Sequence, residues 1–368
     1  MNQKVISSKD NYNELDQWLD NRKVLLVCGN SMNQLPIYTH LKKRVMEGSQ
    51  IVRFSDFQPN PSYESVEKGV ILFHQKGCDA VMVVGGGSAM DVAKCIKLFS
   101  NMDISGNYLE QTIVPNNIPI LAMPTTAGSG SEATRYAVIY YNGEKQSISD
   151  ESCIPETVLI DGSVLHTLPL YQKKATMMDA LCHAMESYWS VNSTKESKEY
   201  SRQAIQSILA NKEGYLSGTE RGQNGMLLAA NMAGKAINIT QTTAGHAMCY
   251  KITGLFGIAH GHAAALCVRV LFPWMVKNTD KCADPRGVEY LNRILSEISA
   301  AMGCSSTEEG CFMVETIVKE LELNIPAATT KQFEILVSSV NPIRLKNHPI
   351  ILQKETIDKL YHEILGEA

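Results

Sequence analysis

No two cysteines in this 368-residue chain are spaced Cys-x-x-Cys. The ten present (Cys28, Cys78, Cys95, Cys153, Cys182, Cys249, Cys267, Cys282, Cys304 and Cys311) are scattered, several of them inside apolar runs. Thiols placed this way build neither a cysteine-zinc knot nor a disulfide framework, and they read as reduced and mostly buried. Excess positive charge is also missing. With 34 Lys and Arg against 38 Asp and Glu, the formal net charge is -4, so nothing global attracts a polyanion and nucleic acid is not an expected partner. No apolar run is long enough to span a bilayer, and the opening MNQKVISSKDNYNELD lacks an apolar signal core. No membrane association is expected, and the expected location is the cytoplasm. Internal repeats, low-complexity stretches, a Gly-x-Gly-x-x-Gly pattern and a Walker loop are all absent.

What is present divides the chain in two. Up to about Asp161, the runs VLLVCG, IVRFSDF, AVMVVGGG and IPILAMPTT are short, apolar and closed by Gly, Pro or Thr, as buried parallel strands are. YTHLKKRVME and YESVEKGVILFHQKG between them have apolar spacings of three and four, as helices covering a sheet do. Beyond that point long helical stretches take over, from LYQKKATMMDALCHAMESYWSV to ETIDKLYHEILGEA, with breaks at Gly or Pro. The expected fold class is α/β plus all-α. Residues 1–162 form a nucleotide-binding α/β domain with a parallel sheet, residues 163–368 a helical domain, and a ligand cleft is expected between them.

Asp179 and His183 in DALCHAME sit four residues apart, so on a helix both leave one face. His246 and His260, in AGHAMCYKITGLFGIAH, add two imidazoles. One carboxylate with three histidines is a mixed oxygen and nitrogen set that suits a divalent first-row metal. AVMVVGGGSAMDVAK runs from a strand through Gly85, Gly86, Gly87 and Ser88 into a helix carrying Asp91 and Lys94. Free amides at a helix start favour a pyrophosphate, although a tight structural turn fits the same residues. PTTAGSGSEAT, with Thr125, Thr126, Ser129 and Ser131, reads either as a second phosphate loop or as an ordinary connection. A dinucleotide across the carboxyl edge of the sheet explains both loops at once.

Taken in order, the Pro59-Asn60-Pro61 step, GGGSAMDVAK, PTTAGSGSEAT, DALCHAMESY, AGHAM and AHGHA resemble the iron-containing (group III) alcohol dehydrogenase family, of dehydroquinate synthase-like fold. The resemblance implies an NAD(P)-binding α/β domain, a helical domain, and one catalytic divalent metal held by Asp179, His183, His246 and His260. Fe(II) is expected first, with Zn(II), Ni(II) or Mn(II) able to fill such a site. Gly86, Gly87 and Ser88 would carry the pyrophosphate, with Asp91 on the same turn, and Asn60, Thr125, Thr126, Ser129 and Lys145 would make further cofactor contacts. Where many NAD-specific members place an Asp, this chain has Gly29, which permits a 2'-phosphate and favours NADP(H) over NAD(H).

Some members carry a histidine four residues after the third metal ligand, and here Tyr250 stands in its place. Tyr250 is therefore taken as a catalytic candidate together with His262, which fits proton exchange, substrate contact or a supporting position. HAMCYKITGLFGIAHGHA and NPIRLKNHP look like the branch that includes phosphonoacetaldehyde reductases. This makes reduction of phosphonoacetaldehyde to 2-hydroxyethylphosphonate the most specific expectation for a small aldehyde or alcohol substrate. Arg135 and Lys251 could pair with a phosphonate or could be ordinary surface charges. The alternatives are another short-chain alcohol or polyol dehydrogenase, a dehydroquinate synthase-like lyase, or a scaffold without catalysis. Relatives suggest a homodimer or a higher closed assembly.

Overall fold

Eight strands precede residue 161 in the computed structural model, which describes residues 3–368. They are β1 (Lys4–Ser7), β2 (Lys23–Cys28), β3 (Gln50–Phe54), β4 (Ala80–Gly85), β5 (Ile120–Pro124), β6 (Tyr136–Tyr141), β7 (Glu144–Ser149) and β8 (Thr157–Ile160). All but β6 and β7 form one sheet in the order β1-β8-β5-β4-β2-β3, with every pairing parallel. The composition explains this. The runs VLLVC, AVMVV and ILAMP are buried along their whole length, and a strand with both faces covered needs no polar alternation.

The helices that accompany these strands are α1 (Asn13–Leu19), α2 (Pro36–Met46), α3 (Tyr63–Gln75) and α4 (Gly87–Phe99). In the sheet, β2 lies between β3 and β4. The chain therefore leaves β2 towards one side and returns on the other, and such a reversal opens a crevice at the carboxyl ends of the two strands. Gly29 follows one of those ends and Gly86 the other. The antiparallel hairpin of β6 and β7 turns at Asn142 (φ 51°) and Gly143 (φ 78°), the Asn-Gly pair that two-residue hairpins favour.

Lys94 on α4 is fully buried. Its Nζ donates to the carbonyls of Ser131 (2.6 Å) and Tyr136 (2.8 Å) and to the hydroxyls of Ser131 and Thr134 (both 3.1 Å). Burial holds the ammonium below the usual lysine range. One side chain thus fastens the helix after the first glycine turn to the loop after β5. Lys94→Met strips four acceptors of their donor and is expected to cost about 3 kcal/mol. A urea midpoint equal to that of the parent protein would refute this.

After residue 168 the chain is mostly helical: α5 (Leu170–Trp189), α6 (Lys195–Ser217), α7 (Glu220–Thr240), α8 (Ala244–Phe256), α9 (His260–Lys277), α10 (Val288–Ala301), α11 (Thr307–Glu320), α12 (Thr330–Ser339), α13 (Pro342–Leu345) and α14 (Lys354–Ile364), with two-residue strands β9 (Ala327–Ala328) and β10 (Gly366–Glu367) paired in parallel. No helix among the described residues is long and apolar enough to cross a membrane. Two compact units result. One comprises the chain up to Leu168 with Ser217–Asn231, and the other Pro169–Leu216 with Met232–Ala368. A boundary read at residue 162 does not include the return of Ser217–Asn231 to the first unit. Polar bonds hold that return in place: Asn224 accepts from the Gly162 amide at 2.8 Å, and Asn231 donates to Gln3 at 3.2 Å and to Glu132 at 3.3 Å.

Candidate metal centre and dinucleotide site

Spacings of three and four on α5 put Asp179, His183 and Glu186 on one face, and all three are buried. His246 lies in the first turn of α8, and His260 is the first residue of α9. His246 Nε2 is 3.4 Å from Asp179 Oδ1, and His260 Nε2 is 4.0 Å from the same oxygen. One donor atom from each of these three residues lies within 4.8 Å of the others. His183 joins by stacking on His246, the ring centroids 4.3 Å apart and the planes 13° from parallel. Its Nδ1 is buried without a hydrogen-bond partner.

Glu186 stands behind the group, and its sequence position alone did not single it out. Its Oε1 accepts from His246 Nδ1 at 3.1 Å and from the His246 amide at 2.9 Å, while its Oε2 accepts from Thr243 Oγ1 at 3.0 Å. A carboxylate on one imidazole nitrogen fixes the tautomer and turns the other nitrogen's lone pair outward, as metal-ligating histidines require. The available signal was position: Glu186 is three residues from His183 on an otherwise apolar helix face.

The carboxylates and imidazoles set one another's charge, and a cation would have to displace the proton that His246 holds at neutral pH. Burial alone would raise the Asp179 carboxyl, but His183, His246 and His260 hold it well below the usual carboxylate range. Burial pushes His183 down to about 4, which keeps the imidazole neutral. For His246, burial is outweighed by Glu186 and Asp179, which push it up to about 9. A buried carboxylate, converging imidazoles and an orphaned ring nitrogen form a donor set that fits a divalent cation. Two glycines permit the convergence. A Cβ on Gly261 would lie 2.0 Å from the Ala175 carbonyl oxygen and 2.7 Å from Asp179 Cβ, and one on Gly245 would lie 2.0 Å from Glu186 Oε1.

The two catalytic candidates have different surroundings. The Tyr250 ring lies 5.3 Å from the His260 ring, and its Oη accepts from Arg344 Nη1 at 2.7 Å. Packing around the ring pushes the phenol up to about 12, with Arg344 pulling the other way, although 37% of the residue reaches solvent. His262 is buried, and both of its ring nitrogens are taken. Nε2 bonds the Asn324 carbonyl at 2.9 Å, and Nδ1 bonds Tyr171 Oη at 3.0 Å, which in turn accepts from the Ala259 amide at 2.9 Å. Of the roles open to His262, these bonds fit the supporting position, in which the ring fastens the start of α9. Lys251 is exposed on α8.

In the first unit, Gly86 caps α4, and Gly87 and Ser88 begin it, so their amides are free of intrahelical partners. Thr125 and Thr126 follow β5, and Ser129 Oγ accepts from the Ser131 amide at 3.3 Å. Asp91 is pushed up to about 6 by burial, which outweighs the pull of Lys94 and Lys145. Asn60 is exposed with a left-handed φ of 57°, and Lys145 is exposed on β7. The Arg135 guanidinium is paired with Glu151 at 2.9 Å, so its charge is already met.

Arg53, at the end of β3, was not expected at this site. It donates to the Gly29 carbonyl at 3.1 Å, to Asn33 Oδ1 at 2.6 Å and to Ser55 Oγ at 2.8 Å. It makes no ion pair among the described residues.

Comparison with known proteins identifies what the chain is similar to. A family model described as iron-containing alcohol dehydrogenase matches residues 2–162, and one described as the Fe-containing alcohol dehydrogenase family, C-terminal, matches residues 173–365. Aldehyde-alcohol dehydrogenase 2 of Entamoeba histolytica is 30% identical over 274 residues, which are 69% of this chain and 31% of that longer protein. Alcohol dehydrogenase 4 of Schizosaccharomyces pombe is 29% identical over 336 residues, covering 86% of this chain and 76% of that one. Among solved structures, sulfoacetaldehyde reductase from Bifidobacterium kashiwanohense in complex with NAD+ is similar with a TM-score of 0.86 and 21% identity, covering 100% of this chain and 98% of that chain. At that identity the likeness is one of fold.

Proposed function

Since the chain belongs to the iron-containing alcohol dehydrogenase family, we propose that it reduces a small aldehyde bearing a phosphonate, phosphonoacetaldehyde to 2-hydroxyethylphosphonate, with NADPH as the hydride donor. The convergence of Asp179, His246 and His260, backed by Glu186, carries the reading that aldehyde chemistry occurs here. The phosphonate is supported by the two segments around Tyr250 and Arg344, and by the fold shared with a reductase of another small anionic aldehyde.

Asp179, His183, His246 and His260 would hold the divalent metal, Fe(II) first among the candidates, and when bound it supplies Lewis-acid polarisation of the aldehyde oxygen. Glu186 keeps His246 in the tautomer that presents Nε2. Amides at the start of α4, with the hydroxyls of Thr125, Thr126 and Ser129, would hold the cofactor's pyrophosphate. The aldehyde carbon gains the hydride and its oxygen one proton. Tyr250 Oη accepts from Arg344, keeps its own proton at neutral pH, and so can donate a hydrogen bond next to His260.

The preference for NADPH rests on Gly29, where a carboxylate would repel a 2'-phosphate, and on the unpaired guanidinium of Arg53 bonded to that glycine's carbonyl. A charge-assisted hydrogen bond is worth about 1.5–3 kcal/mol. Arg53→Ala should therefore lower the NADPH-to-NADH ratio of kcat/KM by about 10- to 100-fold. The experiment is steady-state oxidation of NADPH and NADH after loading with Fe(II) or Zn(II), using phosphonoacetaldehyde and neutral aldehydes. Stoichiometric loss of the reduced nicotinamide is the expected result. A flat trace would point to the lyase alternative, and a strong NADH preference in the parent protein would overturn the NADPH assignment.

A further inference from the structure

Four of the five arginines in the second unit are paired with carboxylates: Arg202 with Glu199, Arg269 with Glu315, Arg286 with Asp284 and Arg293 with Glu297. Arg344 is the exception among the described residues. Its guanidinium sits over the Tyr250 ring, 4.8 Å from the centroid, and one of its five N–H donors is engaged, by Tyr250 Oη. The candidate metal centre is close to this arrangement, since the same Tyr250 ring lies 5.3 Å from the His260 ring. From these contacts we infer that Arg344 is the receptor for the anionic group of the substrate, holding two of its oxygens while the aldehyde end reaches the side of the ring where His260 stands. This rests on the reductase reading of the metal centre and specifies the substrate class: a short aldehyde carrying a tetrahedral oxyanion, phosphonate in first place.

The fold holds this arginine in position. Asn341 caps α13 by accepting from the Ile343 amide at 2.9 Å, and α13 packs on α8, which carries Tyr250. Three residues after Arg344, the Asn347 side chain donates to Gln241 Oε1 at 3.1 Å and to the Thr242 carbonyl at 3.2 Å, and its carbonyl accepts from the Val191 amide at 3.0 Å. His348, next in sequence, is buried with its ring edge-on to Trp189. A planar fork with free donors, stacked on an aromatic ring and lacking a carboxylate partner, suits bidentate recognition of a phosphonate or sulfonate.

The test compares kcat/KM for phosphonoacetaldehyde, sulfoacetaldehyde and propanal in the metal-loaded parent enzyme, Arg344→Ala and Arg344→Lys. The parent should favour the anionic aldehydes. Arg344→Ala should lower the anionic-to-neutral ratio by about 10- to 100-fold, chiefly through KM, and Arg344→Lys should recover part of it by restoring charge without the fork. Methylphosphonate should inhibit the parent competitively and Arg344→Ala at least tenfold more weakly. If the parent prefers anionic aldehydes and Arg344→Ala keeps that preference, the receptor is elsewhere and the reductase reading stands. A parent enzyme with no such preference overturns both the phosphonate assignment and the receptor. Preference for the sulfonate keeps the receptor and removes the phosphonate.

Discussion

Replacing His260 by Ala is expected to lower aldehyde reduction by about a thousandfold and to strip the protein of its metal. His260 opens α9 and its side chain is 37% exposed, so the core does not depend on the ring. Its Nε2 faces Asp179 Oδ1 at 4.0 Å, and its Nδ1 is 3.7 Å from Cys249 Sγ. Without it, one carboxylate and two stacked imidazoles remain, a weaker set for a divalent ion. Lewis-acid stabilisation is worth several kcal/mol, and each 1.36 kcal/mol is about a factor of ten in rate, which gives about three decades. Elemental analysis after dialysis, alongside steady-state rates and a thermal melt, separates the effects. Loss of metal and turnover with the melting temperature held within a few degrees supports the site. Parent-like metal content and rate in His260→Ala would remove these residues from the chemistry.

The parts legible in the sequence were those whose partners lie one or two turns away. Asp179 and His183 share a helix face at a spacing of four, and the buried strands announced themselves as unbroken apolar runs. β1 and β8, four residues each, are too short to show a period, and only their pairing with one another and with β5 makes them strands. The hairpin of β6 and β7 did carry a local signal, Asn142-Gly143, which the Gly/Ser/Thr-rich loop before it overshadowed.

At the site, spacing leaves open which polar side chains are engaged by a distant partner. Arg135 is answered by Glu151, and His262 by a carbonyl 62 positions on. Arg53 and Arg344 gain meaning only because packing leaves them without carboxylates, beside Gly29 and Tyr250 respectively. Spacing along a chain reports faces of helices and strands; it does not report which charges tertiary packing neutralises.

Glu186→Gln is the sharper probe of how the metal centre is built, because it keeps the shape and removes the charge. In the parent, one carboxylate receives four donors: the His246 amide and Nδ1 on Oε1, and the Thr243 amide and hydroxyl on Oε2. The Thr243 hydroxyl in turn accepts from Trp189 Nε1 at 2.8 Å, so its proton is committed towards Glu186. A glutamine has one acceptor oxygen, and its amide nitrogen must then face two N–H or O–H groups, whichever way it is turned. His246 loses either its Nδ1 anchor or its orientation. The expected result is a metal affinity about 10- to 100-fold lower and a fold weakened by about 3 kcal/mol from the unpaired buried donors. Titrating the metal-free variant with Fe(II) or Zn(II) should shift the midpoint of activity recovery to higher metal by that factor, with the plateau partly restored. An unshifted midpoint would mean that His246 needs no carboxylate behind it, and that Glu186 serves only the packing of α5 against the start of α8.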